Sequence, residues 1–172
     1  MTQTVKDLVE RRSVRAYRPE QIKEEQLAEI LEAGKYAASG MGRQPVKMVV
    51  LQDAETIAAL SAMNAAIMGA DIDPFYGAPT VIVVLADRTV PTHYADGCLT
   101  MGNLMNAAHA VGVDSCWIHR ATEEFDSPEG KALLQQWGIT GDYEGIGHCI
   151  LGYRSGEYPQ AAPRKEDMVV RV

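Results

Sequence analysis

Val81-Ile82-Val83-Val84-Leu85-Ala86 places an apolar side chain at every one of six successive positions. A strand with one face in water alternates polar and apolar residues, so a run without alternation predicts a strand covered on both faces. The segment after it agrees. Tyr94 to Val111 is small or apolar on almost every side and is stopped by Gly112, the pattern of a buried helix with a glycine at its end. Ser115 to Ile118 then reads as a short strand, and Ile146 to Tyr153 as another.

Working back toward the N-terminus, Thr4 caps a first helix running to about Arg12, with Val5, Leu8 and Val9 on one side. Ser13 to Tyr17 is extended. A second helix spans about Lys23 to Ala38, striped by Leu27, Ile30, Leu31 and Gly34. Ser39 to Pro45 forms a glycine-containing loop before a strand at Val46 to Leu51. Asp53 caps a third helix to about Met68. Gly69 to Pro79 is a long loop holding two prolines, the length of a lid or binding loop. Ser127-Pro128-Glu129 starts a further helix that Gly138 closes. Met168 to Val172 has the pattern of a terminal strand, and a partner subunit's sheet edge is one candidate to pair with it. The order of elements predicts one α/β or α+β domain over residues 1–172.

Bulk properties narrow the function. At 172 residues and 47% hydrophobic, the chain is long enough to bury a core without a disulfide or metal staple. A net charge of -7 repels nucleic acid and anionic lipid, so neither is an expected partner. Cys98, Cys116 and Cys149 are odd in number and widely spaced, which predicts reduced thiols and a cytoplasmic location. No apolar signal core opens the sequence and no apolar run is long enough to span a bilayer. Walker A, HExxH, CxxC and GxSxG motifs are absent. Gly145-Ile146-Gly147 lacks the third glycine of a dinucleotide fingerprint and enters a strand. Cys116, His119, His148 and Cys149 have metal-like spacing. Residues three apart on a strand point to opposite faces, however, so no metal site is expected.

Against this acidic background the basic clusters stand out. Arg11, Arg12, Arg15 and Arg18 lie within eight residues, and Arg164 and Lys165 lie near the other terminus. One reading is a solvated patch with side chains lying along the surface. The other is a single phosphate held by guanidinium forks and the Ser13 hydroxyl, with the chain ends meeting around it.

Leu8-Val-Glu-Arg-Arg-Ser-Val-Arg-Ala-Tyr17 resembles the N-terminal signature of the nitroreductase-like FMN-dependent oxidoreductases. Ser39 to Pro45 resembles that family's second signature. Asp96 to Leu104, Gly112 to Ile118, Gly147 to Tyr153 and Pro163-Arg164-Lys165 follow in the family's order. The resemblance implies an α+β sandwich with a central mixed, mostly antiparallel sheet flanked by helices, its C-terminal strand extending toward a partner. It implies a homodimer with FMN at the interface. Arg11, Arg12, Ser13, Arg15, Arg164 and Lys165 of one subunit would meet the phosphate and ribityl chain, with Ser39 and Gln44 supplied by the other. Asn64 would approach the flavin pyrimidine edge. Trp117, Ile118, His119 and Arg120 would pass near the ring, and Phe75 and Tyr76 are candidates to stack on an acceptor or to anchor their loop. The implied reaction is ping-pong: NADH or NADPH gives hydride to the flavin, then a small acceptor such as a nitroaromatic or quinone takes the electrons. A flavin sensor or store, a specialised chemistry such as reductive dehalogenation or flavin fragmentation, and a small metalloprotein are the alternatives. Gly42, Val46 and Ala38 depart from the usual Asn, Trp and Pro, so a side-chain contact at Gly42 is lost.

Overall fold

The computed structural model describes residues 1–172. Helices α1 (Gln3–Glu10) and α2 (Glu24–Lys35) precede β1 (Val46–Leu51), α3 (Ala54–Met68), β2 (Thr80–Asp87) and α4 (His93–Ala110). Then come β3 (Asp114–Ile118), α5 (Ala121–Asp126), α6 (Pro128–Gln136) and β4 (Tyr143–Gly152). The four strands form one sheet in the order β1-β2-β4-β3.

β2 is the interior strand that its apolar run requires. Val83 pairs with Val49 on one side and His148 on the other, and Val81 to Ala86 are all 0% exposed. Period-two alternation divides these residues between two cores. Val81, Val83 and Leu85 pack with Ile57 and Leu60 of α3, Phe125 of α5 and Leu134 of α6. Ile82, Val84 and Ala86 pack with Leu27 and Ile30 of α2 and Met101, Leu104 and Ala108 of α4. The sheet is therefore sandwiched between two helical layers.

Local chemistry sets the element ends. Asp53 accepts from the Thr56 backbone N–H at 2.8 Å and its hydroxyl at 2.7 Å, capping α3. Gly69 ends α3 at a φ of 69°, where a side chain is disfavoured. Ser127 accepts from Gly130 N–H at 3.0 Å with Pro128 at the first helical position. Two glycines of β4 permit close approaches. A Cβ at Gly145 would meet the Ala121 carbonyl, and one at Gly147 would meet the Trp117 indole nitrogen. These contacts press the start of α5 and the Trp117 ring onto β4.

All three ladders are antiparallel, and the one parallel pairing is an isolated bridge between Ser13 and Ser115, which makes the sheet mostly antiparallel as expected. Other expectations are corrected. Met168 to Val172 form no strand: Glu166–Met168 is a 3-10 turn, and the residues after it are exposed and unpaired within the chain. A strand pattern needs an edge to bond to, and this tail reaches none of its own sheet's edges. α1 stops at Glu10 and its N-cap is Thr2, with no side-chain cap from Thr4. α2 stops at Lys35, β4 starts earlier, at Tyr143, and α5 was not foreseen.

Cys116 and Cys149 are buried in opposite cores, and Cys98 is half-buried. Burial pushes the Cys149 and Cys98 thiols up from their ordinary range. A thiol reagent is accordingly expected to modify at most Cys98 in the native chain, and all three cysteines after denaturation. Rapid native labelling of all three would contradict this packing.

Candidate functional site

The segment that follows α1 is stitched to the β3–β4 edge. Val14 N–H donates to the Ser115 carbonyl at 3.0 Å and Arg18 N–H to the Tyr153 carbonyl at 2.8 Å. This fixes the turn at Arg11 and Arg12, both half-buried. Arg12 donates through Nη1 to the carbonyls of Val9 and Arg11, each at 2.7 Å. Arg11 Nη1 and Arg12 Nε are buried and have no protein acceptor; Ser115 Oγ and Trp117 Nε1, on neighbouring β3, share that condition. Buried donors without acceptors are rare, because each forfeits its bonds to water. The turn thus gathers unpaired donors that an oxygen-rich group could satisfy.

Ser13 bridges to Ser115 at the same turn, and Arg15 is exposed beside it. Arg18 is otherwise engaged, pairing with Glu20 at 3.3 Å and lying 5.4 Å over the Tyr153 ring. The two chain ends meet, though at a residue the sequence did not point to. Tyr158 OH accepts from Arg12 N–H at 2.8 Å and lies 3.2 Å from the Glu10 carbonyl. Arg154 sits 5.0 Å over the Tyr158 ring and 3.3 Å from Asp114. Arg164 and Lys165, further along that tail, are exposed and form no ion pair within the chain.

Ser39 and Gln44 form a separate cluster. A cavity of about 150 Å³ is lined by Gly34, Ser39, Gln44, Met48, Asp96 and Thr100, among others. Ser39 Oγ accepts from Gln44 N–H at 3.2 Å, and Asp96 accepts from Gly40 N–H at 3.0 Å. No hydrogen bond or ion pair joins this loop to the arginine turn within the chain.

The third cluster lies where β3 ends. Asn64 on α3 is 0% exposed, which makes it a bracing residue instead of a surface one. Its Nδ2 donates to the His119 carbonyl at 2.7 Å, and its Oδ1 accepts from Arg120 Nε at 2.9 Å. Arg120 is held at a φ of 78°, a left-handed conformation that costs a non-glycine residue roughly 1–2 kcal/mol. Ile118 is buried in the core, while His119 is exposed with its ring 5.9 Å from that of Trp117.

Phe75 is 1% exposed, with its ring 5.1 Å from that of His148. The structure gives it the anchoring role in its loop. Asp73 reinforces the anchor by accepting from Ser61 Oγ at 2.6 Å, Phe75 N–H at 2.9 Å and Gly77 N–H at 2.7 Å. Tyr76, at a φ of 53°, is half-buried against the same core. A larger cavity of about 530 Å³ lies between α3 and this loop. Its polar side chains, Ser61 with Asp73 and Gln21 with Gln52, already bond one another, and the rest of its wall is largely apolar. His148 and Glu124 are both fully buried and bond to each other, a pair sequence spacing did not reveal. No group of three His, Cys, Asp or Glu residues is placed to hold a metal. No helix is long and apolar enough to cross a membrane.

Residues 8–153 match the family model described as the Nitroreductase family.

The chain belongs to the nitroreductase family.

A protein of Archaeoglobus fulgidus, provisionally named as an NADH dehydrogenase/NAD(P)H nitroreductase, is 29% identical over 162 residues, covering 91% of this chain and 88% of its own. A nitroreductase of Bacteroides fragilis, solved with bound FMN, is 27% identical, superposes with a TM-score of 0.92 and covers 100% of both chains. A nitroreductase of Desulfitobacterium hafniense, also with bound FMN, is 26% identical with a TM-score of 0.90, covering 100% of this chain and 99% of its own. The match takes in the arginine turn, the Asn64 brace and the β3 exit, and ends just before the tail that carries Tyr158.

Proposed function

We propose that this member of the family is an FMN-dependent NAD(P)H oxidoreductase that reduces small acceptors such as nitroaromatics or quinones by ping-pong hydride transfer. The observation that carries the reading is the pair of buried, unpartnered guanidinium atoms on Arg11 and Arg12. A phosphate supplies the acceptors they lack and matches their forked geometry. The FMN bound by the relatives from Bacteroides fragilis and Desulfitobacterium hafniense has such a group. FMN, when bound, supplies the two-electron chemistry, so no nucleophile or carboxylate pair is required of the chain.

The chain's residues bind and orient. Arg11, Arg12, Ser13 and Arg15 hold the phosphate and ribityl end, and Arg164 and Lys165 close over it from the tail. Asn64 fixes the His119–Arg120 turn, whose backbone N–H groups and side chains offset negative charge developing at the ring. Trp117 and Ile118 form the floor beneath it. Tyr76 is the aromatic of its loop left half-exposed for an acceptor. Ser39 and Gln44 come from a second copy of the chain. Val5, Leu8 and Val9 on α1 and Leu99 on α4 are 44–56% exposed, an apolar surface that supports a homodimer. Three free thiols fit a reducing compartment such as the cytoplasm.

Anaerobic titration tests this. NADH or NADPH should reduce the FMN-loaded protein in a one-to-one ratio, and a quinone or nitroaromatic should reoxidise it. Double-reciprocal plots at several acceptor concentrations should be parallel. A protein that retains FMN but consumes no nicotinamide would be a flavin store or sensor instead.

A further inference from the structure

We infer that Arg120 selects acceptors carrying a carboxylate. The inference rests on the proposed function and names the substrate class for its site. Arg120 occupies a left-handed backbone conformation that a glycine would adopt without strain. Strain of this kind persists where surrounding structure imposes it. Here the imposing residue is identified. Asn64, fully buried, holds the His119 carbonyl with its amide and Arg120 Nε with its oxygen. A long, cationic side chain is thereby fixed at its base.

That brace uses one of the five guanidinium donors. The two Nη groups have no hydrogen-bond partner and no carboxylate within ion-pair distance, and the residue is half-exposed. Two other arginines are closed off by carboxylates. Arg88 meets Asp126 through both Nη atoms at 2.8 and 2.9 Å, and Arg154 meets Asp114. Arg120 presents a planar fork with its orientation already set, matched in shape to a carboxylate that bonds through both oxygens.

The experiment compares 4-nitrobenzoate with its neutral analogue 4-nitrobenzamide, using the FMN-loaded protein and its Arg120→Gln and Arg120→Lys variants. The ratio of kcat/KM for the two acceptors cancels any general effect of Arg120 on the cofactor. Arg120→Gln is expected to lower that ratio by on the order of tenfold, chiefly through KM for the carboxylate. Arg120→Lys, which keeps the charge and loses the fork, should fall between. An unchanged ratio overturns the inference. So does a loss confined to KM for NADPH but not NADH, which would assign the fork to the donor's extra phosphate. Benzoate binding by NMR, followed at the Arg120 Nε–H, needs no turnover. If the protein neither binds FMN nor oxidises nicotinamide, the proposed function fails. A benzoate-dependent shift that Arg120→Gln abolishes would still uphold the carboxylate site, and its absence in the wild type would refute it.

Discussion

Glu124→Ala is expected to destabilise the fold by about 2–5 kcal/mol, the combined cost of a cavity and of a buried polar group left without its partner. Glu124 sits on α5 and His148 on β4, each 0% exposed and bonded to the other. Rings of Phe75 and Phe125 lie 5.1 and 6.2 Å from the imidazole, so the pair sits among aromatic side chains. Deletion leaves His148 Nε2 without its partner beside an Nδ1 that already has none. For a chain of this length the melting temperature should fall by on the order of 10 °C. Glu124→Gln keeps the volume and should cost less. Replacing both residues by leucine should recover much of the loss, because an apolar pair asks for no hydrogen bonds. Thermal and urea unfolding measure all three. A loss below about 1 kcal/mol for Glu124→Ala would show that the pair contributes little. The pair also matters to the site: α5 begins directly after Arg120, and Glu124 ties that helix to the sheet.

Arg11→Ala and Arg12→Ala are each expected to weaken FMN retention by about 1–3 kcal/mol, the range for a charge-assisted hydrogen bond to phosphate. That corresponds to roughly 5- to 150-fold in dissociation constant. Each variant removes a donor that is buried and unpaired in the chain alone, and Arg12→Ala also gives up the two Nη1 bonds to the carbonyls of Val9 and Arg11. For Arg11→Ala the melting temperature without cofactor should therefore change less than the affinity does. Retention should also weaken with added salt. An equal loss in Arg164→Ala would assign the tail to the phosphate as well. Unchanged affinity in both Arg11→Ala and Arg12→Ala would reject the grip, and fluorescence titration with FMN distinguishes these outcomes.

Much of the fold was legible where local chemistry and burial agree. The apolar run at Val81 to Ala86 required cover on both faces, and two cores provide it. Asp53 and Ser127 act as the caps their positions predicted, and β1 has the predicted bounds. What escaped reading depends on contacts distant in sequence. α5 is six residues long, too short to display a helical stripe. Met168 to Val172 has strand composition, yet composition cannot name the edge that would pair with it.

The site divides in the same way. Arg11, Arg12 and Ser13 were visible as a charge cluster in an acidic chain. Tyr158 was not, because its role comes from bonds to residues almost a whole chain length away. Asn64 was legible by family position, but its work as a brace depends on Arg120 adopting a conformation that residue type disfavours. Glu124 and His148 meet only when α5 is laid across β4 at Gly145, where a side chain would block the approach.

The absorption spectrum of the purified protein, with FMN quantified after denaturation, decides whether the arginine turn holds a flavin. A yellow protein with flavin bands, about one FMN per chain, bleached by NADH or NADPH, is expected. A colourless protein that takes up no FMN on reconstitution would contradict it.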